Sequence, residues 1–150
     1  MEYNRLKEFR YNNNLIQDQE AAYYGVTQET YSRWEQDIRN IPLVQLLKIS
    51  ERHKESLDYL LNLTDINNYN NINNTLNREI LSSRFKEIRK ELHYTQDRMA
   101  KKLNTTQSTI SAYESGKTVV LTIFLVELSI KHGYSVDWIA GKSSIKKISN

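Results

Sequence analysis

Apolar side chains along this chain recur at three- and four-residue spacing, the period of an amphipathic helix, in short runs separated by capping or turn residues. In the first half, Leu6, Phe9 and Arg10 mark a helix over about residues 2–13. Gln17 to Tyr24 form a second, with Gly25 as a left-handed turn, and Gln28 to Gln36 a third behind the cap Thr27. Pro42 fits the first turn of a fourth helix carrying Leu43, Leu46, Leu47 and Ile49, and Ser56 caps a short fifth with Leu57, Leu60 and Leu61. The second half opens with a stronger helix, Arg78 to Leu92, bearing Ile80, Leu81, Phe85, Ile88 and Leu92. Thr95 then caps a helix marked by Met99, Ala100 and Leu103, and Thr106 caps one marked by Ile110 and Tyr113. Only Asn104 and Thr105 lie between those two, and Asn tolerates the left-handed conformation that turns a chain sharply out of a helix, so the spacing predicts a helix-turn-helix.

Shifted by 79 residues, the sequence aligns with itself without a gap from Arg5/Arg84 to Leu63/Lys142. Seventeen of those 59 pairs are identical, and they gather at the motif: Gln17/Gln96, Asp18/Asp97, Ala21/Ala100, Thr27/Thr106, Gln28/Gln107 and Glu35/Glu114. The reading is a tandem duplication of one five-helix domain, all-α, with domains at 1–63 and 78–143, an Asn-rich linker at 64–77 and a short basic tail at 144–150 that is expected to fray. Within the linker, Ile66, Tyr69, Ile72 and Leu76 keep helical spacing, so part of it could dock as a helix.

Composition narrows the class. With 26% charged and 39% hydrophobic residues, four Gly and one Pro, helices are favoured and strands have little support. The absence of Cys excludes a disulfide framework and a thiolate metal site, and fits a reducing cytosol. Neither a signal peptide nor an apolar run long enough to span a bilayer is present, so a cytoplasmic location without membrane attachment is expected. The net charge of +3 is unevenly divided: residues 1–63 carry 8 basic against 10 acidic side chains, residues 64–150 carry 13 against 8. Attraction to phosphate should therefore concentrate in the second half.

The run Tyr94 to Lys117, with Thr-Thr-Gln-Ser at its turn followed by Gly-Lys-Thr and later Ser-Val-Asp-Trp, resembles the lambda-repressor-like, Cro/CI-type (XRE) helix-turn-helix family over about Arg84 to Lys142. The resemblance implies a compact five-helix DNA-binding domain whose third helix enters the major groove. It also implies that Gln96, at the start of helix 2, holds a phosphate with Thr95, that Gln17 does so in the first copy, and that an Arg of helix 1 pairs with a Glu of helix 3: Arg10 with Glu35 and Arg89 with Glu114. Departures are visible. Glu20 replaces the apolar residue expected before the helix-2 Ala, and a Glu facing a small core is costly unless paired or tilted to water. Asp37 stands where the helix-3 exit usually has Gly, and Leu121 replaces the expected Pro. Val119 and Val120 occupy positions where polar phosphate contacts are common, which points to local packing or to an interface with a second copy or another protein.

A helix 3 in the major groove presents its first residues to base edges. Gln107 can donate and accept, matching adenine bidentately; Ser108 and Ala112 face the same way, Ala112 suiting a thymine methyl. The same positions in the first copy are Gln28, Glu29 and Arg33, with Arg33 suited to guanine and Glu29 able only to accept, from cytosine. Lys117 at the helix-3 exit is a phosphate candidate and Lys101 a weaker one. His53 and His132 close the fourth helices, where a cation or a carbonyl hydrogen bond suits the dipole. No catalytic residue, metal site or cofactor is expected, because no nucleophile–base, metal-ligand or phosphate-loop arrangement appears. Two readings follow. Both copies read double-stranded DNA as a transcriptional regulator, a repressor acting as a covalent pair; or only the second does, and the acidic first copy dimerises or binds a protein, as in an antitoxin-like regulator.

Overall fold

The computed structural model describes residues 4–70 and 75–148. The chain divides into two compact units, Met1–Thr75 and Leu76–Ser149. The first holds α1 (Arg5–Asn12), α2 (Gln17–Tyr24), α3 (Gln28–Gln36), a 3-10 turn (Ile38–Asn40), α4 (Leu43–His53) and α5 (Leu57–Leu60). The second holds α6 (Arg78–Glu91), α7 (Gln96–Lys102), α8 (Gln107–Glu114), α9 (Thr122–His132) and α10 (Val136–Ile139). Among the described residues there is no strand, only one antiparallel bridge between Tyr134 and Lys147. No helix among them is long and apolar enough to cross a membrane.

Side-chain caps set most of the helix starts. Thr27 accepts from the Thr30 amide, Thr95 from Arg98, Thr106 from Thr109, Ser56 from Tyr59 and Ser135 from Trp138. Asn4 accepts from Lys7, so α1 begins at Arg5 rather than near residue 2; residues 1–3 lie outside the described part. Ile16 has no acceptor to offer α2, and Gln19 compensates from inside the helix by accepting from the Ile16 amide at 2.9 Å. Pro42 is the residue before α4, not part of its first turn, and Leu121 takes the same place before α9. Gly25 (φ 69°) and Asn104 (φ 55°) make the left-handed turns of the two helix-turn-helix pairs.

Each unit has its own apolar core. Leu6, Tyr31, Ile41, Leu46 and Leu57 are fully buried in the first, and Phe85, Ile110, Val120, Leu125 and Val136 occupy the same repeat positions, also buried, in the second. Between copies, bulk is exchanged from helix 3 (Tyr31 to Ile110) to helix 1 (Leu6 to Phe85), which conserves volume. Val120 therefore belongs to the core, as does Ile41. The apolar side chains that face outward beside it are Leu121 and Ile123, while Val119 is half-buried.

The duplication continues past Leu63 and Lys142. Arg5 donates to the carbonyls of Tyr59 and Thr64, and Arg84 to those of Trp138 and Ser143, each guanidinium lying over the ring of its first partner. Thr64 then accepts from the Ile66 amide at 3.2 Å, as Ser143 does from Ile145 at 3.0 Å. Next, the Asn67 side chain accepts from the Ser56 amide at 2.9 Å, where in the second unit the Lys146 carbonyl accepts from Ser135 at 2.9 Å. The expectation of a frayed tail is thus corrected. Residues 143–148 dock through backbone bonds, through Ile148 to the Gly133 carbonyl, and through Lys146 to Glu87 and Glu91. Helical docking of the linker is corrected too: residues 64–70 dock without forming a helix, because Asn67 also bonds the Lys54 carbonyl and fixes an open turn. Ile72 lies outside the described residues.

Candidate nucleic-acid interface

In each copy one chain of hydrogen bonds runs from helix 1 to the tip of helix 3. Arg10 grips Glu35 with two bonds, Nε to Oε2 at 2.7 Å and Nη2 to Oε1 at 3.0 Å, and Arg89 grips Glu114 at 2.6 and 3.0 Å. The third guanidinium nitrogen donates to the Leu15 carbonyl at 3.2 Å, or to Tyr94 at 2.8 Å. Oε1 of the Glu also accepts from the Gln that opens helix 2: Gln17 at 3.0 Å, Gln96 at 3.3 Å. That Gln accepts in turn from the Gln that opens helix 3, Gln28 at 2.6 Å and Gln107 at 2.7 Å.

The side chains at the inner end of this chain are at most 12% exposed in either copy and those at its outer end face solvent, so a rigid ion pair orients a solvent-facing amide. Burial pushes the Glu35 carboxyl up, but the hydrogen bonds from Arg10, Gln17 and Tyr31 and the Arg10 charge outweigh it, leaving Glu35 below the usual carboxylate range. The bonds that Arg89 donates to Glu114 raise the Arg89 pKa. Counting donors and acceptors, Gln28 and Gln107 each keep a free carbonyl oxygen and one N–H, the pair that adenine N6 and N7 require. Gln17 and Gln96 each keep one N–H, which suits a phosphate oxygen.

Around this shared frame the copies differ. In the second, Ser108 is exposed with its hydroxyl 3.1 Å from that of Thr106, Ala112 is half-buried, and Lys117 is exposed beyond the left-handed Gly116. Lys101 is tied to Asp97 at 3.3 Å within α7, and Thr95 spends one lone pair on its cap while its O–H proton stays available. In the first, Arg33 is not free: it pairs with Glu29 at 2.8 Å. Arg39, in the 3-10 turn after helix 3, pairs with Asp37 through two bonds at 3.0 and 2.8 Å.

Two features escape a reading of the sequence. Glu20 is only 1% exposed and forms an ion pair with Arg52 of α4, whose guanidinium lies 3.8 Å from the centroid of the Tyr23 ring. The signal lay in the repeat: where the first copy has Glu20 and Arg52, the second has Met99, fully buried, and Lys131, which pairs locally with Glu127. The histidines also differ from expectation. His53 stacks on Phe9 at 3.6 Å and bonds Glu55 at 2.9 Å, and in the second copy Lys147 rather than a histidine serves the end of the helix, donating to the His132 carbonyl at 2.7 Å. Among the described residues no group of three or more acidic or histidine side chains is placed to hold a metal ion.

A family model described as helix-turn-helix matches the chain twice, over residues 6–60 and 85–139, offset by the same 79 residues as the internal repeat. No solved structure matches the chain.

Proposed function

We propose that this chain, which belongs to the helix-turn-helix family of DNA-binding regulators and carries its domain twice, represses transcription by reading a two-part, non-palindromic duplex site. In this reading helix 3 of each unit lies in the major groove. Lambda-like repressors cover two half-sites about 34 Å apart with two subunits; here two covalently joined copies supply both halves. The observation that carries the proposal is the Arg–Glu–Gln–Gln chain, present in both copies with the same atoms in the same roles. A bracing network retained to the level of single hydrogen bonds is expected if both Gln28 and Gln107 have a base to meet.

In the second unit Gln107, Ser108 and Ala112 contact bases, and Thr95, Gln96, Lys101 and Lys117 contact phosphates. In the first, Gln28, Glu29 and Arg33 contact bases and Gln17 a phosphate. Residues 1–63 and 78–143 are the two binding domains.

A binding selection from a random duplex pool tests this, run on the wild type, Gln28→Ala and Gln107→Ala. The expected result is a two-part site, with each substitution relaxing a different part and costing about 1–3 kcal/mol of discrimination. Enrichment that depends on Gln107 alone would favour the second reading, a first unit that binds protein or dimerises. The acid-paired arginines of that unit are what supports this alternative.

A further inference from the structure

Arg33, in the last turn of helix 3 of the first unit, and Arg39, in the 3-10 turn that follows, are each held by a carboxylate close in sequence. Arg33 bonds Glu29 at 2.8 Å one turn back, and Arg39 bonds Asp37 at 2.8 Å two residues back. The repeat positions in the second unit, Ser108 and Ala112, Gly116 and Thr118, carry no charge at all. A surface that merely needed to lose its attraction for DNA could have lost the arginines. This one keeps two cations, each beside an acid that no core contact requires: the side chains of Glu29 and Asp37 are 77% and 34% exposed.

We infer that Glu29 and Asp37 are specificity determinants of the first unit, which hold Arg33 and Arg39 in ion pairs that a non-cognate duplex does not break and a cognate one does. The inference rests on the reading that this unit contacts DNA. Its physics is competition. Random-sequence duplex attracts a protein through phosphate charge alone, and an arginine already paired with a carboxylate offers little to it. A guanine aligned with Arg33 adds two directional acceptors at O6 and N7, and a cytosine N4 offers Glu29 a donor once Arg33 has turned away. A correct site therefore satisfies both members of the pair, whereas a wrong one leaves a carboxylate facing phosphate. Exposed pairs of this kind are weak enough for bases to displace. Asp37 also accepts from the Arg39 amide at 3.0 Å, so its carboxylate is fixed beside the exit of helix 3.

The test uses the full chain, a random-sequence duplex and the site selected by the wild type. Glu29→Gln with Asp37→Asn removes both charges while keeping shape and the Asp37 cap acceptor. The double variant should bind the random duplex roughly five- to twenty-fold more tightly at low salt and steepen its log–log salt dependence by about 1–2. Its affinity for the selected site should change less, so the specificity ratio falls. Arg33→Ala with Arg39→Ala should weaken both duplexes, because the freed carboxylates then face phosphate, and should weaken the selected site more, because it also loses its base contacts. Equal gains on both duplexes, or no gain from removing the acids while removing the arginines weakens the selected site, would overturn the inference and leave DNA reading by the first unit standing. If neither pair of substitutions alters binding while Gln107→Ala does, the first unit is off the DNA, and both this inference and the DNA-reading role of that unit fall.

Discussion

Replacing Arg52 by Met should strongly destabilise the first unit while leaving the second untouched. Glu20 is 1% exposed and Arg52, from the neighbouring helix, is its partner. Removing one member of a buried pair leaves an uncompensated charge, a loss of about 3–5 kcal/mol. The contact of Arg52 with the Tyr23 face, a ring–cation stack, adds about 0.5–1 kcal/mol. A unit of this size has roughly 4–10 kcal/mol of total stability, so the variant should lose from about a third to all of it and melt at least about 15 °C lower. Each unit contains one buried tryptophan, Trp34 in the first and Trp138 in the second. Urea and thermal unfolding followed by fluorescence in Trp34→Phe and Trp138→Phe backgrounds therefore reports the units separately. The decisive companion is Glu20→Met with Arg52→Met. The second unit has Met99 at the same position, fully buried in the same fold, so the double variant should return to within about 1 kcal/mol of wild type or exceed it. Glu20→Met alone should be milder, because the Arg52 side chain is 20% exposed and can turn to water. A loss under about 1 kcal/mol in Arg52→Met, or a double variant as damaged as the single, would refute the argument from an uncompensated buried charge.

Other outcomes follow from the same physical reasoning. Glu35 titrates below the usual carboxylate range when folded, so the unfolded chain takes up its proton first. The stabilisation is complete above about pH 5 and is lost as the pH falls through the depressed folded value. Urea midpoints read by Trp34 should drop along that limb, and Glu35→Gln should flatten it. Deleting residues 144–150 removes the backbone bonds to Ser135 and Gly133 and should lower the stability of the second unit by about 1–2 kcal/mol. In the intact chain the Ile148 and Ser135 amides should exchange slowly, and random-coil exchange at Ile148 would refute the docking. Thr106→Ala removes the cap of α8 and should cost the second unit about 1 kcal/mol, seen as a lower midpoint for Trp138.

Much of this molecule was written in short-range chemistry. A cap acts on an amide three residues away, so Thr27, Thr95, Thr106 and Ser56 announce their helices without knowledge of anything distant, and helices 2 and 3 of the first copy run between the residues expected. The repeat adds a second kind of local information. Two copies of one fold place Arg10 and Glu35, and Arg89 and Glu114, at the same separation, and both pairs form. The amides that face outward at the start of helix 3 were legible for the same reason.

What the tertiary structure alone decided involves partners brought together from distant elements or by an open turn. Glu20 meets Arg52 across 32 positions, and only packing of α2 against α4 turns a misplaced carboxylate into an ion pair. Gln17 and Gln96 were expected to hold phosphate directly; their first role is to link the buried Glu to the exposed Gln, a relation set by how helices 2 and 3 cross rather than by periodicity. Val120, apolar on a connecting segment, reads alone as either local packing or an interface, and the structure packs it inside its own core. The closing segments were hidden most completely, because the Asn67 side chain in one copy does what the Lys146 carbonyl does in the other. A side-chain oxygen and a main-chain oxygen that accept from equivalent amides leave no common letter in the sequence, so only the hydrogen bonds themselves reveal the equivalence.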